Sequence, residues 1–157
     1  MNRGRSIILI VFGVLLLCLA VHYFDRLTMV NKKAAVESMS SFSSYLSIAI
    51  DDENYSIKHP NDIQSRKDVA TEIDKADITM GAAEPLFNYY GVNNVSSVHS
   101  IMLYLLEYNN VHNKTVVQYL DDVSPEVKQF IQKRNPTIND IKQLINQLSS
   151  AYAKVKI

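Results

Sequence analysis

The chain has 157 residues, with 16 basic and 16 acidic side chains, a formal net charge of zero and 47% apolar residues. That balance gives no electrostatic footprint for nucleic acid, so no nucleic-acid partner is expected. The one cysteine, Cys18, excludes intrachain disulfides, and four glycines with little apolar–polar alternation argue against a β architecture.

The first feature along the chain is an uncharged run from Ser6 to Phe24, preceded by Arg3 and Arg5 and closed by Asp25 and Arg26. Its centre reads IILIVFGVLLLCLAV, Ile7 to Val21. A helix of roughly 19 residues reaches ~28 Å, close to a ~30 Å hydrocarbon core. Tyr23 and His22 suit the lipid–water boundary. A cleaved signal peptide competes with this reading, because Cys18-Leu19-Ala20 offers small residues at the spacing a signal peptidase needs. Against it, Val21-His22-Tyr23-Phe24 follows without a polar stretch. Lipidation of Cys18 is a third reading, disfavoured by the bulky Leu15-Leu16-Leu17 before it. An uncleaved anchor is therefore expected, with Cys18 a small apolar residue facing lipid or a neighbouring helix. Arg3 and Arg5 favour a cytoplasmic N-terminus, although Arg26, Lys32 and Lys33 beyond the run reduce the asymmetry. The remaining chain would then be extracytoplasmic.

About 130 residues follow the run, enough for one domain. Setting aside Arg3, Arg5, Arg26 and Asp25 leaves 13 basic and 15 acidic residues. The Asn-, Ser-, Ile- and Lys-rich composition leans towards a bacterial source. The three Asn-x-Ser/Thr matches at Asn54, Asn94 and Asn113 are expected by chance in so Asn-rich a chain.

Leu27, Val30, Ala34, Met39, Phe42, Leu46 and Ala49 recur at helical spacing, so a juxtamembrane helix over 25–50 is predicted. Its outer face would carry Ser38, Ser40, Ser41, Ser43, Ser44 and Ser47, read as a polar face in preference to a close helix contact. Residues 51–65 (DDENYSIKHPNDIQS) read as a connecting loop. Asp51, Asp52, Glu53 and His59 there raise the thought of a cation site, but the glycine a calcium loop needs is missing.

A second helix is predicted from near Ser65 through Ile73, Ala76 and Met80, broken or kinked by Gly81 and Pro85, with Gly91 as a left-handed C-cap. Val98 to Tyr108 is apolar on nearly every face and too short to span a bilayer, so it reads as a buried central helix ending at Asn109-Asn110. A short helix capped by Asn113 or Thr115 is predicted to end at Asp121-Asp122. Another would start at Ser124 with Pro125 in its first turn and stop before Pro136. Thr137 with Asp140 resembles a capping box opening the last helix, whose stripe is Ile141, Leu144, Ile145 and Leu148.

None of His22, His59, His99 and His112 stands three or four residues from another His or Cys, so no zinc pattern appears. A His99–Glu107 or His99–His112 site is weaker than a structural role for His99. Nucleophile-elbow and phosphate-loop motifs are missing. Adjacent acids such as Asp121-Asp122 do not face one another on a helix, so they make poor acid–base pairs. The distinctive side chains are tyrosines. Tyr104 and Tyr108 share a helix face, and Tyr89 and Tyr90 precede the turn leading there. These four form the candidate interaction surface, the favoured alternative being that their rings fill the core rim with the hydroxyls reaching water.

The sequence thus predicts an all-α protein: an N-terminal single transmembrane helix followed by a compact domain of four to six helices. The segments are a short cytoplasmic tail over 1–5, an anchor over 6–24, a juxtamembrane helix over 25–50, a loop over 51–65 and a helical extracytoplasmic domain over 66–157. The function expected is protein–protein interaction at the cell envelope, as an accessory, regulatory or exclusion-type factor confined by its anchor. The alternatives are a ligand-sensing domain around Tyr104, Tyr108 and His99, or a secreted helical protein after signal cleavage. Catalytic residues, a metal and a cofactor are not expected, and the chain does not read as an enzyme.

Overall fold

The computed structural model describes residues 3–108 and 114–155, with side chains over 11–107 and 114–155. The described residues are helical apart from short turns. They form α1 (Arg3–Lys58), α2 (Ile63–Tyr89), α3 (Val95–Tyr108), α4 (Lys114–Gln132) and α5 (Ile138–Val155). The chain divides into two units between Ala34 and Ala35, within α1.

In the first unit the apolar side chains lie on the outside. Phe12, Leu17, Tyr23 and Phe24 are each more than 60% exposed, as is Met29. Thr28 donates its hydroxyl to the Phe24 carbonyl at 2.9 Å, so even this polar side chain is satisfied along the helix.

In the second unit α1 changes character. Ala35, Met39, Phe42, Leu46, Ala49, Glu53 and Ser56 are buried. Their spacing alternates four and three residues, the period that keeps one seam of a helix facing its neighbours. Ser43 and Ile50 widen the seam, and both are fully buried. Ser43 therefore leaves the polar face predicted for it, because position 43 lies next to Phe42 on the inner side. Ser40 and Ser44 remain outward and donate to the carbonyls of Val36 and Ser40, each at 2.9 Å.

The predicted loop over 51–65 is mostly helix. α1 continues to Lys58, α2 begins at Ile63, and only 59–62 connect them. The polar residues that suggest a turn decorate a helix whose inner side still carries the seam. Asn54 donates to the Ile50 carbonyl at 3.0 Å, and Lys128 of α4 donates to Asp51 at 3.0 Å. The folded unit accordingly begins at Ala35, well before residue 66. Pro60 ends α1 by restricting the residue before it. Asp62 then caps α2, accepting from the backbone N–H groups of Gln64 and Ser65 at 3.0 and 3.3 Å.

α2 runs through both Gly81 and Pro85 to Tyr89, contrary to the predicted break. Pro85 has no N–H to give the Gly81 carbonyl, yet Met80, Ala83 and Phe87 are buried on either side and hold the helix in place. The helix ends as a Schellman motif. Gly91 has φ 62°, its N–H donates to the Asn88 carbonyl at 3.0 Å, and the Val92 N–H donates to Phe87 at 3.0 Å. Gly91 is thus the left-handed residue predicted.

α3 packs against both α2 and α5, and α4 packs against α5. Val98, Met102 and Leu105 are buried, while Leu103 is half exposed, so α3 is central with one open flank. α4 is a single helix across Asp121, Asp122 and Pro125, in place of the two predicted. Its buried positions Val116, Tyr119, Leu120, Val123, Val127 and Phe130 form one uninterrupted stripe, and that packing outweighs the hydrogen bond lost at Pro125. Thr115 lies inside this helix, and Asn109, Asn110, His112 and Asn113 fall outside the described residues.

The capping box opening α5 forms as predicted. The Thr137 N–H donates to Asp140 at 2.7 Å, and the Asp140 N–H donates to the Thr137 hydroxyl at 3.3 Å. Lys133 adds an ion pair to the same carboxylate.

Two outcomes follow from this packing. Phe42→Ala is expected to cost about 3–5 kcal/mol of unfolding free energy, whereas Ile48→Ser on the exposed side of α1 changes it by less than about 0.5 kcal/mol. Urea unfolding of the full chain in detergent micelles, followed by helical dichroism, measures both. The Lys133 ammonium and the Thr137 hydroxyl and N–H hold the Asp140 carboxyl down at about 2. Its stabilisation is therefore complete above the unfolded value of about 3.9 and is lost as pH falls through about 2. Asp140→Asn should flatten that part of the stability–pH curve and leave stability above about pH 5 independent of pH at this site.

Candidate functional site

The tyrosines singled out from the sequence lie at the end of α2 and along α3. Tyr89 and Tyr90 meet edge to face at the end of α2, with ring centroids 5.0 Å apart. Tyr89 is 62% exposed, and Tyr90 packs partly against the core. Tyr104 lies nine residues beyond the start of α3, ~14 Å along its axis. Its ring meets the edge of Tyr152 on α5 at 5.4 Å. Tyr108 ends α3, and its side chain falls outside the described residues.

The sequence reading missed the third member of that ring cluster. Tyr119 of α4 packs edge to face with Tyr152 at 6.1 Å and is fully buried. Burial, aided by the Tyr152 hydroxyl, pushes its phenol far above the usual tyrosine range, so it stays protonated. Its hydroxyl has no hydrogen-bond partner among the described residues. The only sequence signal for its depth is its place in the α4 stripe, between Val116 and Val123.

His99 of α3 faces Asp77 of α2, with Nδ1 and Oδ1 2.6 Å apart. Asp77 is 7% exposed. Burial raises its carboxyl above the ordinary range, His99 opposes that rise, and Asp74 adds to it. Gly81, one turn along α2, leaves the ring room, although a Cβ there would meet it at an ordinary 3.9 Å. His99 thus joins α3 to Asp77 of α2, and His112 falls outside the described residues.

The acids of the former loop point in different directions, as successive residues on a helix must. Asp51 turns to Lys128, and Glu53 is buried in the seam. Asp52 faces α2, where partial burial and the carboxylates of Asp68, Glu72 and Asp51 raise its carboxyl. His59 stacks on Tyr55 at 4.2 Å. No group of three or more His, Cys, Asp or Glu among the described residues is placed to hold a metal ion.

The surface of the described residues carries several grooves. One, of about 510 Å³, is walled by Ile57 and Pro60 at the α1–α2 turn and by Val117 and Gln118 on α4, with Asp121 and Asp122 at one end. Another, of about 530 Å³, lies between α3 and α5 and is lined by Ser97, Ser100, Asn146 and Tyr152, with Asn94 donating to Asn146 at 3.1 Å. Comparison with protein-family models, with curated proteins and with solved structures finds no match. Function must therefore be argued from these features alone.

If His99 and Asp77 act as a pair, a double-mutant cycle with His99→Ala and Asp77→Asn should give a coupling energy of about 0.5–3 kcal/mol at neutral pH. Urea unfolding of the four variants measures it, and strictly additive effects would dissolve the pair.

Proposed function

We propose that the chain is a membrane-anchored protein whose helical unit, from Ala35 onward, binds a protein partner at the outer side of the membrane. The observation that carries this reading is the exposed apolar surface of α1. Large apolar side chains from Val11 to Val30 stand more than 40% exposed along the helix, a contiguous apolar surface of the kind that marks a membrane or protein contact. α1 is long and apolar enough to cross a membrane by length and composition. The apolar stretch Val21-His22-Tyr23-Phe24 that follows Cys18-Leu19-Ala20, in place of a polar one, favours an anchor over a cleaved signal. Arg3 and Arg5 before the run support a cytoplasmic N-terminus.

An anchored domain meets its partner in the plane of the membrane, where effective concentration is high and modest contacts suffice. Exposed Ile78, Leu103 and Tyr89 offer apolar contact area on the folded unit.

Native membranes carrying a C-terminal tag test the reading. The full-length mass should be retained, the protein should resist alkaline carbonate extraction, and external protease should remove the tag from intact cells. Release by carbonate, or a mature chain lacking its first residues up to Ala20, would overturn the anchor. A tag cut only after lysis would reverse the orientation.

A further inference from the structure

We propose that the groove between the end of α1 and the first half of α4 docks a partner segment carrying an apolar anchor residue flanked by lysine or arginine. This rests on the interaction reading and specifies the partner's chemistry. The floor is apolar: Ile57 is 46% exposed and stands with Pro60 and Val117 around a volume of about 510 Å³. That size suits one or two buried side chains with polar groups at the margin.

The charged groups are arranged along the groove. Asp121 and Asp122 lie at one end, and Lys114 lies seven residues back along α4, ~11 Å away. Both carboxylates are exposed and make no ion pair among the described residues. The nearest lysine further along α4, Lys128, is engaged with Asp51. Two exposed carboxylates next to an apolar floor match an arginine fork or a lysine ammonium following an apolar side chain. The same acids repel the anionic headgroups of a lipid surface, which excludes a membrane as the occupant.

The test uses the full chain in detergent micelles, panned against a random phage-displayed peptide library. Recovered peptides should pair an apolar residue with Lys or Arg within one helical turn. A synthetic copy of the most enriched peptide should bind about tenfold more weakly to the Asp121→Asn/Asp122→Asn variant and to Ile57→Ser, and equally well to Ile78→Ser. The neutralised variant keeps its exposed side chains isosteric, and an unchanged unfolding midpoint confirms its fold. Peptides without basic enrichment, or binding indifferent to those substitutions, would overturn the proposal. Self-association abolished by the same variants in sedimentation would overturn it in favour of a second copy of the chain.

A photocrosslinker placed at Gln118 or Ile78 in native membranes separates the two levels of the argument. Crosslinking at Gln118 that the selected peptide competes away supports the groove. Crosslinking at Ile78 alone overturns the groove and spares the interaction reading. Crosslinking at neither position sinks both.

Discussion

The seam of α1 is the constraint on which the folded unit depends. From Ala35 to Ser56 the buried positions return every three or four residues, and Met39, Phe42 and Leu46 are fully withdrawn from solvent. A helix of that regularity has one inner side, so its neighbours must assemble along it. Lys75 of α2 lies over the Tyr45 ring at 5.8 Å, and Lys128 of α4 reaches Asp51. These contacts are small in energy next to the burial of the seam, and they fix which side of α2 and α4 faces α1. The seam stops at Ala35. Residues 32 and 28, which would continue its spacing, are Lys and Thr, and both are exposed. α1 therefore exposes large apolar side chains in its first part and buries one side in its second.

Much of the helical content was legible because it is written locally. The Thr137–Asp140 box, Gly91 at the end of α2 and the Ile141–Leu148 stripe each depend on residues a few positions apart. Failures came where a local stop signal met a continuous apolar stripe. Pro85 and Pro125 forbid one hydrogen bond each, at a cost of about 3 kcal/mol or more. The six buried side chains of α4 offset that cost, and a reader of the sequence cannot see what they pack against. The stretch DDENYSIK fails for the same reason: its turn-forming residues sit on the outside of a helix held by Glu53 and Ser56 within.

The site was less legible than the fold. Tyrosine count drew attention to Tyr89, Tyr90, Tyr104 and Tyr108, but side-chain type says little about which rings meet. Tyr104 finds Tyr152, and through it the buried Tyr119, across three helices. The groove beside Asp121 depends on the α1–α2 turn approaching α4, a pairing separated by some 60 positions in the chain.

The Tyr104–Tyr152–Tyr119 cluster has a practical meaning. The chain contains no tryptophan, so tyrosine and phenylalanine supply its whole aromatic spectrum. Tyr119 is held rigidly against a ring from α5, which in turn holds one from α3. Asymmetric ring environments of this kind generate near-ultraviolet dichroism, and the exposed Tyr23, Tyr55 and Tyr89 add little to it. The protein thus carries a built-in optical gauge of the joint packing of α3, α4 and α5, readable in detergent or lipid without any label.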